Sequence, residues 1–133
     1  MTRFARAPWI KAWAAFGLGL VLGAGPALAD PVGTWTTEGG LAQVRVAPCG
    51  AAFCGTIVWV KDPARKDAGS GGPILGLTIL TGLTETGAGE YRGRVYNPED
   101  GRTYTGFMTI EGDRAALKGC VVRPLCKTQT WTR

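Results

Sequence analysis

From residue 32 onward, apolar and polar residues alternate with a period near two over short runs. That spacing belongs to strands with one face on a core and the other in water. Val32–Thr37 reads as a first strand, stopped by Glu38-Gly39-Gly40. In Leu41–Pro48, Val44 and Val46 share one face, with Gln43 and Arg45 on the other. Gly55–Lys61 is almost continuously apolar and β-branched, as in a strand covered on both faces. Asp62–Pro73 is a loop by composition, charged and then Gly/Ser-rich between two prolines, long enough to be either mobile or a lid. Ile74–Leu83 is apolar without clean periodicity and fits either a short strand or an irregular segment plugging the core.

The second half is more regular. Glu90–Tyr96 and Arg102–Ile110 are strands joined by Asn97-Pro98-Glu99-Asp100-Gly101. In that turn proline presets one φ, Gly101 supplies a positive one, and Asn97 and Asp100 can accept from local amides. Ala115–Cys120 and Lys127–Arg133 complete the set. About eight short strands, spaced roughly 8–12 residues apart, predict an all-β antiparallel meander, closed as an up-and-down barrel or folded as a sandwich.

The N-terminus has a different pattern. Arg3, Arg6 and Lys11 precede an apolar run from Ala12 to Leu22, and Ala27-Leu28-Ala29 follows. Charge, short apolar core and small-residue site in that order describe a Sec-type signal peptide over residues 1–29, cleaved after Ala29. The rival, a retained anchor helix, wants a longer apolar run. The chain is thereby expected to be periplasmic or secreted, a single domain over 30–133, with no stable membrane span after cleavage. Removing the leader takes three basic residues and no acid, so formal charge falls from +5 to +2. Arg45, Arg92, Arg94, Arg102, Arg114 and Arg123 are scattered among acids, which does not support nucleic acid as a partner.

Cys49, Cys54, Cys120 and Cys126 all lie beyond the leader. An even count behind a signal peptide points to disulfides. Each sequence-adjacent pair flanks a short turn, so Cys49–Cys54 and Cys120–Cys126 are the preferred short-range pairings. A four-cysteine zinc site is the rival, but the spacings lack the C-x2-C pairs it favours.

The chain contains no histidine, which removes Ser-His-Asp and Cys-His catalysis in their usual forms. Glu99 and Asp100 are neighbouring carboxylates, but their Pro/Gly setting reads as a turn. Gly69-Ser70-Gly71-Gly72 lacks the lysine of a phosphate loop. No enzyme, cofactor or metal is expected. Aromatic residues are the better candidates. Trp35 and Trp131 read as core, whereas Trp59 and Tyr104 sit mid-strand, where an inward side chain meets either core or ligand. The expected lining is Ile57, Trp59, Tyr104 and Phe107. Tyr104 and Phe107 differ in parity and can both face inward only across a bulge, for which Gly106 is the candidate.

Gly33-Thr34-Trp35 near one end and Trp131-Thr132-Arg133 at the other resemble the closure signature of lipocalins and related calycin barrels, in which an Arg of the last strand packs across the Trp of the first. Together with V-R-V-A-P-C-G, C-G-T-I-V-W-V-K-D, Y-N-P-E-D-G-R-T-Y and K-T-Q-T-W-T-R, the chain resembles a bacterial family of small secreted proteins classed as a domain of unknown function with a lipocalin-like fold. The resemblance spans nearly all of residues 31–133. Members carry a longer acidic, Pro-rich insertion where this chain has Ala64–Gly72, which implies a more open or differently covered mouth. What the resemblance implies is a lipocalin-like barrel, export, structural roles for Trp35 and Arg133, and a small apolar ligand in the cell envelope. The alternative is an envelope protein-interaction or stress-protective module acting through its loops and exterior, without a ligand cavity.

Overall fold

The computed structural model describes residues 30–122 and 124–133, and the leader expected over 1–29 lies outside the described residues. Eight strands follow in order: β1 Gly33–Thr36, β2 Ala42–Cys49, β3 Ala52–Val60, β4 Thr78–Gly87, β5 Glu90–Asn97, β6 Arg102–Glu111, β7 Arg114–Val122 and β8 Leu125–Thr132. A 3-10 turn, Glu38–Gly40, links β1 to β2. Each strand pairs with the next, and β8 returns to β1, so the sheet closes as an up-and-down barrel with no open edge. No helix of the described residues is long and apolar enough to cross a membrane.

The closing seam rests on side chains as much as on ladder bonds. Thr36 pairs with Thr132, and the Thr130 amide donates to Glu38 Oε1 at 2.9 Å. Arg133 completes the seam. Its guanidinium carbon lies 4.4 Å from the Trp35 ring centroid, while Nη1 donates to the carbonyls of Asp30 (2.7 Å) and Val32 (3.0 Å). Nη2 donates to Gly112 O at 2.9 Å. A planar fork with several donors does this; an ammonium would reach fewer acceptors.

Inside the barrel the period-two pattern sets the lining: Ala42, Val44 and Val46 from β2, Tyr104, Gly106, Met108 and Ile110 from β6, Ala115 and Leu117 from β7. The lower half, around the β2–β3, β4–β5 and β6–β7 turns, is solid. Trp35, Leu80 and Met108 are fully inaccessible, with Trp131 and Leu83 nearly so. Phe53 and Tyr91 add an edge-to-face pair with centroids 6.0 Å apart. The Trp35 indole donates to Pro31 O at 2.8 Å, so its burial leaves no orphaned donor. Burial raises the Tyr91 pKa, helped by the nearby negative charges of Glu85 and Asp30.

Both disulfides join the pairs expected. Cys120 and Cys126 are direct cross-strand partners. Cys54 lies opposite Ala47, diagonal to Cys49, with 5.5 Å between the two cysteine Cα atoms. Each staple holds one end of the barrel, Cys49–Cys54 at the solid end and Cys120–Cys126 at the other. Such pairs fit an oxidising, non-cytoplasmic setting.

The boundaries differ from the sequence reading at several strand ends, most where β3, β8 and β4 begin. β3 begins at Ala52, not Gly55, because Cys54 and its neighbours continue the ladder to β2. β8 begins at Leu125, ahead of Lys127. Ile74–Leu83 divides: Ile74 is buried in the loop, while β4 starts at Thr78 and runs through the polar Thr84–Gly87. Irregular periodicity there reflects a register shift between Thr81 and Thr84. Opposite that shift the β4 backbone crosses so near Gly93 that a Cβ would stand 2.6 Å from Thr81 O, so only glycine fits.

Candidate functional site

The upper half of the barrel is hollow. A cavity of about 500 Å³ opens between the 3-10 turn, the β3–β4 loop, the β5–β6 turn and the β7–β8 hairpin. Its floor is apolar, formed by Val44, Ile57, Ile79, Val95, Leu117 and Trp131. Its rim carries Arg65, Asn97, Glu99, Asp100, Tyr104, Lys127 and Gln129, interspersed with Leu41, Val121 and Leu125. Small residues make the space. Gly119 occupies an inward position on β7, where a Cβ would press Val95 at 3.3 Å.

Of the expected lining, Ile57 and Tyr104 stand on the cavity wall, and Trp59 and Phe107 do not. For Trp59 the reason is a bulge. Gln43 pairs with Trp59 and Val44 with Ile57, so Val58 is an extra residue on β3. The parity of the strand inverts there. Ile57 and Val60 face inward, while Val58 and Trp59 face solvent, Trp59 at 46% exposure. Gly106 makes no such bulge: β5–β6 and β6–β7 pair without a break on either side of it. Tyr104 therefore shares the inner face with Met108 and Ile110, and Phe107 lies outside beneath the Arg92 guanidinium, 5.7 Å from its ring centroid.

Sequence reasoning missed the most polar part of the wall. Trp131 is core, and residues two and four positions before it share its face of β8, which places Gln129 and Lys127 inside the barrel line. The parity of K-T-Q-T-W carried that signal. Gln129 Oε1 accepts the Trp131 indole N–H at 3.0 Å, so the floor tryptophan is satisfied by a rim residue.

The β3–β4 loop forms part of the mouth and is organised around Asp67, which is 3% exposed. Its carboxylate accepts from the Tyr96 hydroxyl (2.6 Å), the Ser70 hydroxyl (2.8 Å) and the Ser70 amide (3.1 Å). The Tyr96 hydrogen bond, chiefly, holds the Asp67 pKa below its ordinary value, against desolvation. The same bond raises the Tyr96 pKa. The loop amide of Ala68 donates to Pro98 O at 2.8 Å, and Arg65 pairs with Glu99 at 3.1 Å. A loop that composition left as mobile or lid is thus tied to the β5–β6 turn.

That turn has the local chemistry expected of it. Gly101 adopts φ +72°, Asn97 Oδ1 accepts the Glu99 amide, and Asp100 Oδ1 accepts the Arg102 amide. Asp100 also accepts the Tyr104 hydroxyl, a bond that lowers the acid's pKa and raises the phenol's. The carboxylates of the mouth are therefore committed to tyrosine, arginine and backbone partners. Among the described residues no group of three His, Cys, Asp or Glu side chains is placed to hold a metal ion.

Comparison with solved structures finds the same architecture in the Helicobacter pylori protein HP1028, described as belonging to the lipocalin family. The TM-score is 0.69 at 21% identity, covering 78% of this chain and 82% of that one. At that identity the likeness establishes the fold. No curated protein matches the chain. Residues 33–133 match the bacterial family described as "Uncharacterized protein conserved in bacteria (DUF2147)", and the chain belongs to that family.

Proposed function

We propose that this protein is an exported, non-enzymatic carrier or sensor domain of the cell envelope, holding one small, mainly apolar ligand in the upper half of its barrel. On this reading residues 1–29 are a signal peptide cleaved after Ala29 and residues 30–133 are a single domain. The observation that carries it is the cavity of about 500 Å³, within the range of about 300–1,000 Å³ common for small-molecule sites. Eight-stranded barrels are just wide enough to be filled or to hold one such ligand; here the lower half is filled and the upper half is not. The apolar floor suits a hydrocarbon body, and the rim of Gln129, Lys127 and Tyr104 suits a polar end left at the mouth. Ile57 and Tyr104 are the ligand contacts retained from the sequence, joined by Val44, Leu117, Gln129 and Trp131.

The test is a fluorescence titration with fatty acids, sterols and isoprenoids, using a Trp59→Phe variant so that the exterior indole does not contribute. Trp131 lies on the cavity floor, so a ligand entering to full depth should give a saturable change. Leu117→Trp, which fills part of the hollow, should raise the ligand concentration needed for half-saturation by tenfold or more. No saturable change with any of the three classes would overturn the proposal.

A further inference from the structure

At the mouth, the barrel carries two features that extend beyond the cavity rim. The tip of the β7–β8 hairpin exposes three aliphatic side chains, Val121 (70%), Val122 (60%) and Leu125 (65%). Val121 has no partner on β8, because the register shifts between Cys120 and Val122, and a bulge of this kind lets consecutive side chains both stand in solvent. The Cys120–Cys126 disulfide braces its base. Next to it is a niche of about 190 Å³, lined by Arg94, Arg102, Thr103, Thr105 and Val121 among others. Neither guanidinium forms an ion pair with a described carboxylate. Val121 belongs to both the niche and the cavity wall, so the apolar tip, the cations and the opening are contiguous.

We propose that this rim docks on an anionic lipid bilayer, with Val121, Val122 and Leu125 entering the interface and Arg94 and Arg102 holding a lipid phosphate. Isolated exposed apolar residues are ordinary, but three on one braced tip form a patch. An aliphatic tip suits a fluid interface, which closes around it, whereas protein interfaces draw chiefly on aromatic anchors, with Val and Leu under-represented. Cations flanking apolar side chains are what a negatively charged headgroup layer attracts, and two guanidiniums with two threonine hydroxyls match phosphate oxygens in charge and hydrogen bonding. Lys127 adds a further cation at the rim. Of the nearby acids, Glu99 is paired with Arg65, and Asp100, held by the Tyr104 hydroxyl and the Arg102 amide, keeps a negative charge on which the Arg102 guanidinium also acts. This docking does not depend on what the cavity holds, so its test and the titration above fail separately.

The experiment is co-sedimentation of the disulfide-bonded product of full-chain expression with phosphatidylcholine vesicles, with or without about one-third phosphatidylglycerol, at low and high salt. Binding is expected to the anionic vesicles and to weaken with salt. Each cation near such a surface contributes about fivefold, so R94Q/R102Q should lower affinity for anionic vesicles about twentyfold. V122N/L125N should lower it by about tenfold, and equal melting temperatures would show that both variants are folded. Absence of binding to anionic vesicles, or equal binding by wild type and both variants, overturns the proposal. Displacement by inorganic phosphate beyond that by chloride at equal ionic strength would reassign the niche to free phosphate and also overturn it.

Discussion

The two ends of this barrel are built on one alternating pattern and come out as opposites. At the solid end the inward positions hold Trp35, Leu83, Met108 and Val46, all essentially inaccessible. At the mouth β2, β7 and β8 offer Ala42, Gly119, Gln129 and Lys127 at inward positions. Alternation fixes which way a side chain points, and volume at the inward positions then decides whether the barrel is core or container. Strand β8 shows the change within one element, from Trp131 through Gln129 to Lys127. The disulfides and the Arg133 fork hold the frame, so the hollow end need not supply cohesion of its own.

The largest loss of stability belongs to the solid end. Trp35→Ala should cost about 3–5 kcal/mol, a large part of the ~5–15 kcal/mol typical of a domain, read from urea denaturation. A smaller loss would mean that the plug is not what holds the barrel. Arg133→Ala removes the ring contact and three charged hydrogen bonds at the seam, and should cost about 2–4 kcal/mol. Arg133→Lys should recover only part of that, which thermal melts would show. The C49S/C54S variant, which opens the staple at the solid end, should lose about 2 kcal/mol while leaving ligand titration at the mouth unchanged.

The pH response separates the ends differently. Asp67 is ionised more readily in the fold than in the unfolded chain, so its contribution is present above the ordinary carboxylate value near 3.8 and is lost as pH falls below it. Tyr96, raised by the same bond, contributes below the ordinary phenol value near 10.0 and loses that contribution as pH rises above it. Asp67→Asn should therefore flatten the acid arm of a stability–pH profile, with loosening confined to amides of the β3–β4 loop in hydrogen exchange. Smallest of all, Trp59→Ala should change stability by no more than about 0.5 kcal/mol and leave ligand response intact, since the bulge at Val58 turns this tryptophan to solvent. A large effect on either would return Trp59 to the interior.

Much of the fold was legible along the chain. The Pro98–Gly101 turn, the cysteine hairpins and the pairing of Trp35 with Arg133 are local or motif-borne, and each formed as its residues require. The candidate site was legible in half. Ile57 and Tyr104 followed parity inward, whereas Trp59 did not, because one unpaired residue in a ladder leaves no mark in composition and inverts everything after it. Lys127 and Gln129 could have been found by counting back from Trp131 in twos. The bond between Tyr96 and Asp67 could not, because it joins a strand to a loop 29 residues away.

Sequence by itself thus determined strand number, the order of turns and the disulfide pairs. These follow from short-range periodicity, turn chemistry and spacing between residues near in the chain, while the meeting of Trp35 and Arg133 was implied by the resemblance to lipocalins. Tertiary structure alone decided that the barrel is half plug and half cavity, that the long loop is bound through Asp67, and that apolar and cationic groups meet beside the mouth. Each depends on how much volume side chains from several strands leave when they converge on one axis, a sum that no single segment contains.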